Sequence, residues 1–219
     1  MIEAARASLE ERGALLLAIR RAGVRDIAIL RAFETTPRET FTPYRYRDLA
    51  NRNISLPIGC GQTMTRPVDL ARRIAALGVE KSHRVLAIGA GSGYGAAILA
   101  QLAHEVVAIE RYQSLAFEAT AHLTALEISN AQIIHADGLA PDPHIGSFDR
   151  IFVQAAISSS PAALIPALKP GGALLYARAG TPGRQRLIKL VCNSPGTFEE
   201  IDLGPCRLVF STEGQAQTL

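Results

Sequence analysis

The 219-residue sequence predicts a doubly wound, mostly parallel α/β fold, and three observations carry that expectation. Short apolar runs recur at Val85–Ile88, Val106–Ile109, Ile133–Ala136, Ile151–Ala155 and Ala173–Tyr176. Strands covered on both faces read as continuous apolar runs, whereas half-exposed strands alternate. Helical stretches lie between the runs at Gly95–Leu102, Ser114–Leu126 and Ser160–Leu168, and such alternation builds a parallel sheet. The first run leads straight into a glycine-rich turn. A composition of 48% hydrophobic and 20% charged residues supplies a core and excludes a disordered, collagenous or coiled-coil chain.

The elements before the sheet follow from periodicity and punctuation. Ile2, Ala5, Leu9, Leu16 and Ile19 share one helical face, with Gly23 as the stop. A second short helix spans Ile27–Phe33. From Thr36 to Pro67 the chain is rich in Pro, Gly, Thr and Arg without a sustained period, a long connection of the kind that carries function or is disordered. Pro67 then opens a helix over Val68–Leu77, since proline suits the first helical position. After the parallel runs, Leu187–Cys192 and Arg207–Phe210 are expected to form an antiparallel edge, with Pro195 and Gly196 between them. This organisation divides the chain into an arm of helices and loop at 1–80, closing over the site, and one compact sheet unit at 81–219.

Charge and cysteine usage narrow the function classes. A net charge of +3 is too small to indicate nucleic acid, and the arginines between Arg20 and Arg52, Arg38 among them, read as a solvated face. Tyr44 and Tyr46 beside Arg45 and Arg47 lack the wider basic stripe that nucleic acid requires. Cys60, Cys192 and Cys206 are too few and too scattered for a disulfide framework or a zinc cluster, and the five histidines lack ligand spacing. Cys60 reads as a packed small residue. With no apolar run near the roughly 20 residues that span a bilayer, the expectation is a cytoplasmic monomer without metal, membrane or nucleic-acid partners.

The chemistry concentrates at three strand ends. In Gly89-Ala90-Gly91-Ser92-Gly93-Tyr94-Gly95 the glycines permit close backbone approach at the carboxyl edge, where α/β folds bind ligands. Tyr94 stands where a dinucleotide fingerprint requires glycine, which disfavours a pyrophosphate cradle. Glu110 ends the next strand, 21 positions after Gly89, where an acid can take both hydroxyls of a ribose. Asp137 and Gly138 end the third, where a carboxylate and a backbone group can read an adenine edge. Together they favour a nucleoside ligand.

On these residues, and on Leu56-Pro57-Ile58-Gly59 with Gly61, Gln62 and Thr63, Ile109-Glu110-Arg111, Phe148-Asp149 and Leu168–Gly172, the chain resembles the S-adenosylmethionine-dependent methyltransferases. More closely, it resembles the protein-L-isoaspartate O-methyltransferases, over roughly Thr36 to Phe210. The glycine turn is generic to the class; the Pro57–Pro67 loop is the specific part. The resemblance implies a seven-stranded sheet and transfer of a methyl group from S-adenosylmethionine to the free α-carboxylate of isoaspartyl residues in damaged proteins or peptides. The ester then closes to a succinimide from which aspartate is regained, a repair reaction. It also implies that Gly89, Ala90, Gly91, Ser92 and Gly93 bend around the methionine part, that Glu110 and Arg111 hold the ribose end, and that Asp137 and Gly138 face the adenine. Ile58, Gly59, Gln62 and Thr63 would bind substrate, and the family's loop serine falls on Thr65.

The reaction suits a sequence with no evident acid–base pair. A carboxylate with a pKa near 3.5 to 4 is ionised at pH 7 and needs no general base, so alignment in a closed, dry site supplies most of the rate. Thr65 is expected to position the carboxylate, without a covalent intermediate. The chain departs from the family pattern at Ala87, where an acid is usual, at Thr65, and at Ser211 and Thr212, which replace a Pro-containing close. Two other readings stay open: a methyltransferase of this fold acting on another carboxylate or a small molecule, and a cofactor-binding protein that has lost catalysis.

Overall fold

The computed structural model describes residues 2–158, 160–180 and 184–216, with side chains from Leu9 onward. Helix α1 spans Ile2–Arg21; of its expected apolar face, Ile2 and Ala5 lie outside the described side chains, Ile19 is buried, Leu16 is half-buried and Leu9 is exposed, while Leu15 is buried beside Ile19 instead. Helix α2 (Ile27–Thr35) starts on Asp26, whose carboxylate accepts from the Ala28 and Ile29 amides at 2.8 and 3.2 Å and so satisfies two otherwise unpaired donors. Helix α3 (Pro67–Leu77) opens on its proline and closes on Gly78, whose left-handed conformation (φ +68°) ends the helix.

The expected connection at 36–67 is ordered by its own devices. It holds 3-10 turns at Arg38–Phe41 and Tyr44–Leu49 and a two-stranded hairpin, β1 (Leu56–Pro57) with β2 (Thr63–Met64). Arg38 is not on a solvated face as its sequence context suggested; it is 1% exposed. One guanidinium nitrogen donates to the Ala50 and Arg52 carbonyls at 2.8 and 3.1 Å, and the other to those of Ile54 and Thr65 at 3.0 and 3.2 Å. The segment buries Phe41, Leu56, Ile58 and Met64, but its short elements leave carbonyls without ladder partners, and a cation collects them.

The sheet follows the expected class. Strands β3 (Arg84–Ile88), β4 (Glu105–Glu110), β5 (Ala131–His135), β6 (Phe148–Ile157) and β7 (Leu168–Arg178) are parallel; β8 (Gln185–Ser194) and β9 (Thr197–Cys206) add antiparallel. The order β5-β4-β3-β6-β7-β8-β9 reverses direction between β3 and β6, the switch point where such sheets bind ligands. Along β3, Val85 and Ala87 join the core shared with α1–α3, α4 (Tyr94–Ala100) and α5 (Gln113–Ala125), while Leu86 and Ile88 face the opposite core.

Two expected elements are corrected. The stretch Ser160–Leu168 forms a 3-10 turn over Ala162–Ala167, because Pro166 sits inside it and denies a helical amide. The second face of the sheet is therefore covered there by a short turn bearing Leu164. The last strand is not Arg207–Phe210 but Thr197–Cys206, an edge whose polar residues gave no apolar signal. Residues 207–212 cross the carboxyl ends of the sheet instead, tied by the Ala156 amide to the Val209 carbonyl at 2.7 Å and the Ser211 amide to the Ala156 carbonyl at 2.8 Å.

Replacing Arg38 with methionine strands these carbonyls. Arg38→Met is expected to destabilise the protein by about 3 kcal/mol, which for a chain of this size lowers Tm by about 6 to 12 °C. A thermal melt indistinguishable from wild type would show that the loop is held by packing alone.

Candidate active site

A cavity of about 1060 Å³ opens over the carboxyl ends of β3, β4 and β6 and runs to the β1–β2 hairpin. Its floor is the glycine turn. Gly89 and Gly91 have φ of +82° and +56°, a region costly for residues with a side chain. A Cβ on Gly91 would also stand 3.3 Å from Ile58 Cδ1, so the turn and the hairpin loop are in close contact.

Glu110 is 5% exposed and locked by its neighbours: Oε2 accepts from the Gly91 amide at 2.8 Å and Oε1 from the Tyr112 amide at 3.0 Å. One carboxylate thereby joins the end of β4 to the turn after β3. Asp137 accepts from the Leu139 amide through Oδ1 at 2.9 Å and from the Gly214 amide through Oδ2 at 2.7 Å. At Gly138 a Cβ would lie 2.4 Å from Ile88 Cγ2, so the chain passes too close for any other residue. Arg111 donates from Nε to the Gly214 carbonyl at 3.0 Å and stacks 5.0 Å from the Tyr112 ring centroid.

At the other end, the Ile58 amide donates to the Gln62 carbonyl at 2.9 Å and the Gln62 amide to that of Gly59 at 3.0 Å. Cys60 and Gly61, with φ of +55° and +65°, form the tight turn between them. The Cys60 sulfur lies 3.2 Å from Ser114 Oγ and packs against the core, in keeping with its reading as a packed residue. Thr65, which lines the cavity, is fixed twice: its carbonyl accepts from Arg38, and its Oγ1 accepts from Arg73 Nη2 at 3.1 Å. Burial lowers both guanidinium groups to about 10, which leaves them charged at pH 7.

Ile58, Gln62, Thr63, Thr65, Gly89, Ala90, Gly91, Ser92, Glu110, Arg111, Asp137 and Gly138 all line this one cavity. Gly59 and Gly93 do not. A Cβ on Gly59 would stand 3.3 Å from Leu115, and Gly93 caps α4 with Ala119 3.1 Å from where a Cβ would stand, so both serve packing. Sequence reasoning missed Gln154, Tyr112 and the crossing segment 206–212, which also line the cavity. Gln154 is placed there by a register shift between Phe152 and Ala156, where its Nε2 donates to the Gly89 carbonyl at 2.9 Å. A glutamine interrupting an apolar run was the available signal. His122 and His135 brace the Ser92 and Arg111 carbonyls at 2.9 and 3.1 Å, and no group of acids, histidines and cysteines among the described residues could hold a metal.

The residues fit a nucleoside at one end. A buried acid, a second acid beside it and a close-approach turn form one wall. Ala87 lies fully buried within β3 and contributes no charge beneath the turn, whose Gly89 carbonyl accepts from Gln154. At the acceptor end stand the Thr63 and Thr65 hydroxyls with Arg66 and Arg207. That combination suits an anionic acceptor facing a nucleoside-bearing donor.

Comparison with known proteins agrees with this geometry. Residues 10–216 match the family described as Protein-L-isoaspartate(D-aspartate) O-methyltransferase (PCMT). A protein-L-isoaspartate O-methyltransferase of Azorhizobium caulinodans is 40% identical over 209 residues, covering 95% of this chain and 96% of the relative. One from Rhodopseudomonas palustris strain BisB5 is 42% identical over 174 residues, 80% of each chain. A solved protein-L-isoaspartate O-methyltransferase superposes with a TM-score of 0.84 at 25% identity, over 92% of this chain and 66% of its own. A Plasmodium falciparum structure in complex with S-adenosyl-L-homocysteine shares the fold at a TM-score of 0.79 and 21% identity. With nearly its whole length matched, the chain belongs to the protein-L-isoaspartate O-methyltransferase family.

Proposed function

We propose that the protein methylates the free α-carboxylate of isoaspartyl residues in damaged proteins, using S-adenosylmethionine, as the first step of their repair. The observation that carries this reading is the single cavity that joins Glu110 and the glycine turn to the Thr65 hydroxyl. S-adenosylmethionine supplies, when bound, a methyl group activated by a sulfonium. Glu110 offers the carboxylate for ribose hydroxyls, Asp137 and Gly138 face the base, and Gly89 and Gly91 let the backbone close on the remainder. Arg111 acts indirectly, anchoring Gly214 beside Asp137.

The acceptor carboxylate is ionised at neutral pH and needs no base. Among the described residues the cavity lining holds no histidine, and Asp69, its acid nearest the loop in sequence, is bound by Arg66 Nη2 at 2.7 Å. What the chain contributes is placement. Thr65, with its carbonyl and hydroxyl both fixed, holds the carboxylate in line, and residues 206–212 line the same cavity. Thr63 and Gln62 lie on the same rim for the peptide. Cys60, Cys192 and Cys206 are free thiols, which suits the reducing cytoplasm, and no helix among the described residues is long and apolar enough to cross a membrane.

Three outcomes follow. The protein is expected to form a methyl ester on an isoaspartyl peptide and none on the matching aspartyl peptide; turnover of neither, with S-adenosylmethionine bound, would sink the assignment. Thr65→Val is expected to lower kcat/KM for the isoaspartyl peptide by about tenfold to hundredfold while Thr65→Ser keeps most of it, and equal rates in all three proteins would remove Thr65 from the mechanism. Calorimetry of Glu110→Ala is expected to show S-adenosylhomocysteine bound about tenfold to hundredfold more weakly, against an unchanged affinity if the acid only caps the turn.

A further inference from the structure

Arg73 is a charged residue on the buried face of α3, among Leu70, Ala71, Ile74 and Leu77. It is 4% exposed, and its guanidinium lies 5.4 Å from the Phe152 ring centroid. Asp69, one turn earlier, pairs with Arg66; its backbone carbonyl accepts from Arg73 Nε at 3.3 Å, and its carboxylate acts on Arg73 through charge alone, without a hydrogen bond. Nη2 donates to Thr65 Oγ1 at 3.1 Å, and Nη1 finds no acceptor among the described residues. A buried guanidinium with an unmet donor costs stability, and an apolar side chain of similar volume would suit the surrounding core better. The fold therefore does not account for the charge. Its one side-chain hydrogen bond, to Thr65, does.

That bond decides where the Thr65 proton goes. A guanidinium donates and never accepts, so it occupies a lone pair of Oγ1, and the hydroxyl hydrogen must point elsewhere. Among the described residues Oγ1 donates to no protein acceptor, and Thr65 lines the cavity. Resting on the function proposed above, we propose that Arg73 is a positioning residue for the methyl acceptor, holding Thr65 so that its hydroxyl donates into the cavity toward the substrate carboxylate. The donation from Arg73 also polarises the hydroxyl and strengthens it as a donor. Arg38 fixes the backbone of the same residue, so both ends of Thr65 are held by buried cations.

The test is a double-mutant cycle on the whole protein with an isoaspartyl peptide, using R73M, T65V and R73M/T65V, with R73K beside them. Arg73→Met is expected to lower kcat/KM about tenfold to hundredfold, with S-adenosylhomocysteine affinity unchanged and Tm not reduced. The double variant is expected to be no worse than the poorer single one, and R73K, which keeps a donor, to recover part of the loss. Wild-type activity in R73M, or losses that multiply in the double variant, would overturn the inference. If R73M does not fold, R73K and R73Q decide: activity retained by either supports a donor to Thr65, and loss in both with cofactor affinity intact overturns it. A wild type inactive on the isoaspartyl peptide overturns the proposed function and this inference together, whereas an active wild type matched by R73M overturns the inference alone.

Discussion

The acceptor half of this protein hangs on one buried cation. Arg38 draws the carbonyls of Ala50, Arg52, Ile54 and Thr65 onto a single guanidinium, and a segment of Pro, Gly, Thr and Arg becomes a fixed wall of the site. Carbonyl groups buried without water must find donors. Secondary structure supplies few here, because β1 and β2 are two residues each. The guanidinium suits the task, since its planar fork donates along several directions at once. Its Nε finds no partner among the described residues and its burial is costly, which makes the arrangement one of position and not of economy.

The cofactor half depends on a different constraint, the connection of two strand ends by a carboxylate. Glu110 accepts from Gly91 and Tyr112 together, so the turn after β3 and the exit of β4 hold one another in place before any ligand arrives. Such preorganisation reduces what binding must later order. Both halves meet where Gly91 approaches Ile58, and a side chain there would press on the loop.

How much of this was legible in the sequence depended on whether a residue's role was local. The glycine turn, Glu110 and Asp137 announce themselves because strand ends are marked by adjacent apolar runs, and the ligand edge of a parallel sheet follows from topology. Pro67 and Gly78 likewise bound their helix by their own backbone preferences. The failures share a cause. Arg38 looks like any arginine in a basic stretch, because its partners lie 12 to 27 residues further on. Thr197–Cys206 is a strand on account of its neighbour β8, with most of its residues exposed, so no alternation marks it. Arg207–Phe210 carries apolar residues for the opposite reason, to line the cavity over Ala156. Gln154 falls within the apolar run Ile151–Ala155, and its polarity alone does not give its role, which comes from a register shift that turns it to the Gly89 carbonyl.

The layout of charge along the cavity is what methyl transfer between ions of opposite sign asks for. Carboxylate and sulfonium attract each other in the ground state and lose their charges together in the transition state. A cation bound directly to the carboxylate would therefore stabilise the ground state more than the transition state and slow the step. A neutral hydroxyl holds the same oxygen with a smaller penalty. Arg73 fits this logic by standing one atom further back, directing the Thr65 hydroxyl while keeping its own charge against α3 and Phe152. Arg66 is likewise occupied by Asp69. Glu110 and Asp137 are engaged by backbone amides and Arg66 by Asp69, so among the charged groups that line the cavity these three are held by the protein itself.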